Sequence, residues 1–249
     1  MDKIIGLGNA LVDVLATLED DMLLDEMGLP KGSMQLIDDA KLQQINAKFS
    51  QMKTHLATGG SAGNAILGLA CLGAGTGFIG KVGNDHYGDF FRKNLQKNNI
   101  EDKLLTSEHL PSGVASTFIS SDGERTFGTY LGAAASLKAE DLTLEMFKGY
   151  AYLFIEGYLV QDHEMILHAI ELAKEAGLQI CLDMASYNIV AYDLEFFSLL
   201  INKYVDIVFA NEEEAKAFTG EEPEEALRVI AKKCSIAIVK VGANGSYIR

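Results

Sequence analysis

The sequence predicts an α/β fold: a mainly parallel central sheet covered by helices on both faces, with a small β-sheet lid standing off it. Three features predict this. From Tyr150 onward, short apolar runs at 151–155, 178–182, 206–209 and 236–241 alternate with helical segments. In the clearest of those segments Ile166, Ala169, Ile170 and Ala173 recur at i, i+3, i+4 and i+7, the period of one helical face. Apolar strands joined by crossover helices run parallel and are buried on both sides. Second, the pattern changes between 110 and 131, where 114–119 and 126–131 read as strands around a Ser121-Asp122-Gly123-Glu124 turn. A hairpin dropped between βα units stands off the main sheet and commonly covers a site. Third, a run of tiny residues, Gly59-Gly60-Ser61-Ala62-Gly63-Asn64, leads at once into a helical pattern carried by Ala65, Leu69 and Leu72.

Taken in order, residues 4–16 begin as a buried strand, Ile4-Ile5-Gly6-Leu7-Gly8, that continues through Asn9 to Asp13. Asp13 interrupts an apolar line, Leu11-Val12-Asp13-Val14-Leu15. A bare charge is too costly to strand in a core. It therefore faces a ligand or lies on the solvent side of a curved strand, and spacing leaves both open. Leu29-Pro30-Lys31-Gly32-Ser33 is a turn, 34–37 a short strand, and Asp38 the N-cap of a helix from 39 to about 51. Residues 55–57 lead into the glycine loop. Its glycines let backbone approach a ligand closely, and the helix behind aims free N–H groups at it. Such a loop suits a hydroxyl-rich or phosphorylated small molecule; it equally suits a close-packed strand-to-helix turn. A strand at 76–82 and a helix at 87–98 follow, and Gly177 ends the later helix as a C′ residue. The length allows one large domain or two, and no internal repeat or long linker divides the chain. The chain stops at Gly245-Ser246-Tyr247-Ile248-Arg249, in or just after a strand, which reads as a C-terminally incomplete sheet edge.

The net charge of −14, with no dense Lys/Arg stripe, argues against nucleic acid as a partner. A small anion needs only a few local donors and is still allowed. Cys71, Cys181 and Cys234 are widely spaced and read as reduced thiols of a cytoplasmic protein. No apolar run reaches membrane-spanning length and no secretion signal opens the chain. Two nucleotide motifs fail. The run from Gly75 to Lys81 has Walker A spacing, but Val82 stands where a hydroxyl must reach magnesium. Gly6-Leu7-Gly8-Asn9-Ala10-Leu11 lacks the third glycine of the dinucleotide fingerprint.

Strand C-terminal ends are where open α/β sheets bind ligands, and several acids stand there. Asn211-Glu212-Glu213-Glu214 follows the strand at 206–209, with Asn211 and Glu214 on one face of the opening turn. The pair suits a hydrated magnesium and a phosphate; it equally suits a capped helix N-terminus. Glu156 and Asp183 each end an apolar run, and ligand contact is favoured for Glu156 over Asp183. Arg125, beside the hairpin turn, reads either as a cationic clamp over a phosphate or as an ordinary surface arginine. No histidine sits in an elbow motif, so no Ser/His/Asp triad is read.

In this order the segments Gly6-Leu7-Gly8-Asn9…Asp13, Gly59-Gly60-Ser61-Ala62-Gly63-Asn64, Ile79-Gly80-Lys81-Val82-Gly83-Asn84-Asp85…Gly88, Gly123-Glu124-Arg125-Thr126, Asn211-Glu212-Glu213-Glu214-Ala215 and Lys240-Val241-Gly242-Ala243-Asn244-Gly245 form a set. The set resembles the PfkB (ribokinase-like) family of carbohydrate and nucleoside kinases over essentially the whole chain. Arg125-Thr126, continuing to Leu131-Gly132-Ala133-Ala134, is most similar to the adenosine-kinase-like branch. The resemblance implies that residues 1–249 form one domain, a three-layer α/β/α core with a β lid drawn from about 13–37 and 110–131. It also implies ATP- and Mg2+-dependent transfer of the γ-phosphoryl group to a hydroxymethyl of a sugar or nucleoside. Asn9, Asp13, Gly59, Gly60, Asn64 and Glu156 would then meet the substrate. Asn211, Glu214, Lys240, Gly242 and Gly245 would meet the nucleotide, with Glu214 on magnesium through water and Arg125 stabilising charge from the lid. A monomer or a lid-mediated homodimer fits that pattern. The family's Asp-Thr-x-Gly-Ala-Gly-Asp signature, which supplies the catalytic Asp base, has no match in this chain. The expectation is a kinase without its C-terminal part; the alternative is an inactive sugar- or nucleoside-binding protein.

Overall fold

The structure, a computed structural model, describes residues 2–249. Its strands, in chain order, are β1 (Ile4–Leu7), β2 (Leu11–Thr17), β3 (Met34–Leu36), β4 (Thr54–Thr58), β5 (Thr76–Ile79), β6 (Lys81–Gly83), β7 (Ile100–Asp102) and β8 (Leu105–Ser107). Then come β9 (Gly113–Ile119), β10 (Arg125–Tyr130), β11 (Tyr152–Glu156), β12 (Gln179–Asp183), β13 (Ile207–Asn211), β14 (Ile236–Lys240) and β15 (Ser246–Ile248). The main sheet has the order β15-β14-β13-β12-β11-β1-β5-β7. Every pairing in it is parallel except that of β14 with β15.

Helices cover both faces because side chains alternate along each strand. Ile5 and Leu7 of β1 enter one cluster with helices His163–Glu175 and Leu194–Lys203, in which Ile166, Ala169, Ile170 and Ala173 are all fully buried. Ile4 and Phe78 enter another with helices Ser61–Cys71 and His86–Lys97. Local chemistry sets the helix ends. The Asp38 side chain accepts from the Lys41 amide at 2.8 Å, and Gly177 takes φ 84° after the helix that ends at Glu175.

A second sheet has the order β3-β10-β9-β2-β4. Val14, Ala16, Val114 and Phe118 pack beneath helices Met22–Met27 and Asp39–Phe49. The opposite face carries Asp13, with Ala57 and Ala115 beside it in register.

Three sequence expectations change. The strand expected over 4–16 breaks at 8–10 into β1 and β2, which belong to different sheets. The one expected over 76–82 breaks into β5 and β6, and β6 pairs with β8 in a ribbon of its own. Residues 55–57, read as a lead-in to the glycine loop, lie within β4, an edge strand of the second sheet. Among the described residues no helix is long and apolar enough to cross a membrane.

Candidate active site

Register builds the rim of the main sheet. Glu156 of β11 stands opposite Asp183 of β12, and Asn211 of β13 opposite Lys240 of β14. Neighbouring strands are about 4.8 Å apart, so these four residues line one edge within a small molecule's reach. Tyr158, in the turn Gly157–Gln161, is half-buried there, and its hydroxyl is pushed up by burial first and then by the charges of Glu156, Glu214 and Asp183. Sequence reasoning did not single out Tyr158. Its only signal is that it follows a strand-ending acid.

The second sheet brings Asp13 to this edge. A Cβ on Gly59 would lie 2.1 Å from Asp13 Oδ1, and one on Gly60 2.3 Å from the Asn9 carbonyl oxygen. Both positions therefore admit only glycine while the neighbours hold still. Asp13 is half-buried, and among the described residues no hydrogen bond to its carboxylate forms. Burial pushes its pKa up to about 6, and the Arg125 guanidinium opposes that shift. Asp13 is thus partly desolvated without a partner among the described residues. Arg125 is exposed at the start of β10, opposite Ile119, which is itself opposite Thr17 on the strand of Asp13. Pairwise alternation thus puts Arg125 and Asp13 on the same face of the sheet.

Glu156 is 2% exposed, and its two oxygens serve different neighbours. Oε1 accepts from Asn9 Nδ2 at 2.7 Å, and Oε2 accepts from the Ala62 amide at 3.0 Å. Asn9 and Glu156, both expected at the substrate, hold each other and the start of helix Ser61–Cys71. Asn64, in that helix's first turn, is exposed, and its backbone N–H donates to the Gly60 carbonyl at 3.0 Å.

Asn211 and Glu214 form a reciprocal cap on helix Glu212–Thr219. Glu214 Oε2 accepts from the Asn211 amide at 2.7 Å and Oε1 from Asn211 Nδ2 at 2.8 Å, while Asn211 Oδ1 accepts from the Glu214 amide at 2.8 Å. The capping alternative is therefore realised. Direct metal ligation by Glu214 would have to share or displace those bonds. Glu214 is 3% exposed, and its pKa is raised, chiefly by burial and further by the charge of Asp183. Asp183 Oδ2 receives Lys240 Nζ at 3.1 Å, and Oδ1 the Ala185 amide at 2.9 Å. Among the described residues no group of three or more His, Cys, Asp or Glu is arranged to hold a metal. The charge of Asp183 nevertheless adds to the rise at Glu214, and a nearby divalent cation would oppose it. A magnesium ion held here would need water and phosphate to supply most of its shell. Gly242 opens, and Gly245 follows, the exposed turn Gly242–Asn244, which Val241 separates from Lys240 at the end of β14.

The family model described as pfkB family carbohydrate kinase matches residues 33–249. The guanosine-inosine kinase of Escherichia coli (strain K12) is 26% identical over 230 residues, 88% of this chain and 53% of that protein. The chain thus spans about half the length of that curated relative. Among solved structures, the adenosine kinase from Sinorhizobium meliloti is 32% identical with a TM-score of 0.86, covering 99% of this chain and 76% of that one. A probable sugar kinase from Rhizobium etli CFN 42 is 31% identical with a TM-score of 0.87 at the same coverage.

Proposed function

The chain belongs to the pfkB family of carbohydrate kinases, and on that premise we propose that the protein transfers the γ-phosphoryl group of ATP to a hydroxymethyl of a nucleoside or sugar. The names of its relatives, guanosine-inosine kinase and adenosine kinase, favour a purine nucleoside as acceptor. The observation that carries the reading is Asp13: a half-buried carboxylate without a hydrogen-bond partner among the described residues, raised to about 6, beside a glycine loop. A desolvated acid of that kind is stabilised when ligand hydroxyls donate to it.

Phosphoryl transfer asks the protein for positioning and charge stabilisation rather than covalent chemistry. Magnesium-bound ATP supplies the phosphoryl group and a divalent charge. Asp13 accepts from acceptor hydroxyls, Gly59 and Gly60 let the ring close in, and the exposed Asn64 amide offers a further donor and acceptor. Asp183, Glu214 and Lys240 form the phosphate end of the rim, Asn211 holds Glu214, and Gly242 and Gly245 lay backbone against the nucleotide. Arg125 adds positive charge from the second sheet. Holding the acceptor hydroxyl in line contributes roughly 7–11 kcal/mol to such a reaction. None of these side chains is assigned as the base. The test is a screen of the full-length protein with ATP and Mg2+ against adenosine, guanosine, inosine, ribose and fructose. Acceptor-dependent ADP release with a phosphorylated product is expected. Acceptor binding without turnover would point to the inactive binder, and neither binding nor turnover would sink both readings.

A further inference from the structure

The segment 79–88 is one of the family marks, yet the rim leaves it without a role. Resting on the functional reading above, we propose that Asp85 and Ser112 form a latch that seats the second sheet on the core, making Asp85 a positioning residue for Asp13. Asp85 Oδ2 accepts from the Ser112 amide at 2.7 Å, and Oδ1 accepts from the Ser112 hydroxyl at 2.7 Å and from the Gly88 amide at 2.9 Å. The Ser112 hydroxyl in turn accepts from the Gly83 amide at 2.9 Å. Ser112 is 1% exposed. A Cβ on Gly83 would lie 2.5 Å from the Ser112 nitrogen, and one on Gly88 2.3 Å from the Gly83 carbonyl oxygen. The glycine–aspartate–glycine spacing of this segment is therefore what the contact itself demands.

What the latch holds is the way into the second sheet. Ser112 immediately precedes β9, whose first residue, Gly113, is paired with Leu11 of β2. Two residues further, Ala115 lies opposite Asp13. The way out passes through the same point, since the Ala133 amide, just after β10, donates to the Pro111 carbonyl at 2.7 Å. A slip at Ser112 would thus move the neighbour of Asp13 and the strand that bears Arg125 together. Bonds to a charged acceptor at these lengths are roughly twice as strong as neutral ones, so one carboxylate suffices to fix the entry.

Asp85 also caps helix His86–Lys97 through Gly88, and a cap alone would be a purely structural role. Asp85→Asn separates the two. Asparagine caps as well as aspartate, but its Nδ2 cannot accept from the Ser112 amide. In the full-length protein, Asp85→Asn and Ser112→Ala are each expected to weaken the acceptor nucleoside by about tenfold, with ATP affinity within about twofold of wild type. The double variant should be little worse than Asp85→Asn, because the residues act as one unit. Equal losses for both ligands alongside a lower Tm would make this a fold defect, and unchanged acceptor affinity would remove the positioning role. Hydrogen exchange gives a readout independent of activity. Amides of 11–17 and 113–119 should open faster in Asp85→Asn while those of 207–211 do not, and unaltered exchange overturns the latch. If the wild type binds no acceptor, the functional reading fails, and the exchange experiment still decides this one.

Discussion

Gly59→Ala is the most exacting test of the cleft. The added methyl would sit 2.1 Å from Asp13 Oδ1, 2.6 Å from Cγ and 3.0 Å from Oδ2. Ordinary carbon–oxygen contacts are more than an ångström longer than the first of these. Every clashing atom belongs to the short side chain of Asp13, so the cheapest relief is for that carboxylate to swing aside, at about 0.5–1.5 kcal/mol for an off-rotamer torsion. Stability should therefore fall only slightly. The acceptor, by contrast, loses hydrogen bonds to a charged group, worth about 1.5–3 kcal/mol, or one to two decades of affinity at about 1.4 kcal/mol per decade. Calorimetric titration with the acceptor and a melting curve on the same protein measure both. Adding Asp13→Ala to Gly59→Ala removes the clash and should restore Tm without restoring affinity. A Gly59→Ala protein that binds acceptor within about twofold of wild type would refute the contact between this glycine and a working Asp13.

The remaining predictions concern charge. Because Asp13 is raised from 3.8 to about 6, acceptor affinity should fall as pH drops through about 6, and Asp13→Asn should flatten that dependence. For stability the sign is opposite: between 3.8 and about 6 the folded state holds the extra proton, so Asp13's contribution grows as pH falls through that window. A urea midpoint that moves the other way in wild type relative to Asp13→Asn would contradict the burial of this group. Arg125→Ala should move the pH midpoint of acceptor binding upward, since its charge opposes the raised pKa of Asp13. It should also lower turnover by roughly a hundredfold; near-normal turnover with an unmoved midpoint would leave Arg125 a surface residue. Glu214→Gln keeps one acceptor, enough for the bond from the Asn211 backbone amide in the capping box, but its Nε2 cannot accept from Asn211 Nδ2. It should lower Tm modestly, by the one bond lost, while raising the magnesium concentration needed for half-maximal rate, and an identical magnesium titration would exclude Glu214 from the metal's shell.

What could be read from the sequence was local. Asp38 and Gly177 end their helices through bonds and dihedrals spanning a few residues, and the hairpin now seen as β9 and β10 announced itself through alternation and a turn. The Asn211–Glu214 spacing admitted both a cap and a ligand pair, since one geometry suits each, and the structure forms the cap. The break between β1 and β2 was hidden because buried residues continue on both sides of it, each facing a different cluster. β4 was hidden for the opposite reason: an edge strand with no fully buried residue lacks an apolar signature. Glu156 could be placed at a strand end but not given its partners, because Asn9 and Ala62 are supplied by the fold. Ser112 carried no signal at all until Asp85 came to rest against it.

The bonds of Glu156 reach across 147 positions to Asn9 and 94 to Ala62. A ribosome adding roughly 5–20 residues per second needs about 5–20 seconds to pass from Ala62 to Glu156. Throughout that interval the nascent glycine loop has no carboxylate to receive its amide. The rim itself is later still, since Asp183, Asn211 and Lys240 lie on β12, β13 and β14, and most of the largest core cluster follows Glu156 as well. The glycine loop thus waits for the second half of the chain before its surroundings are complete.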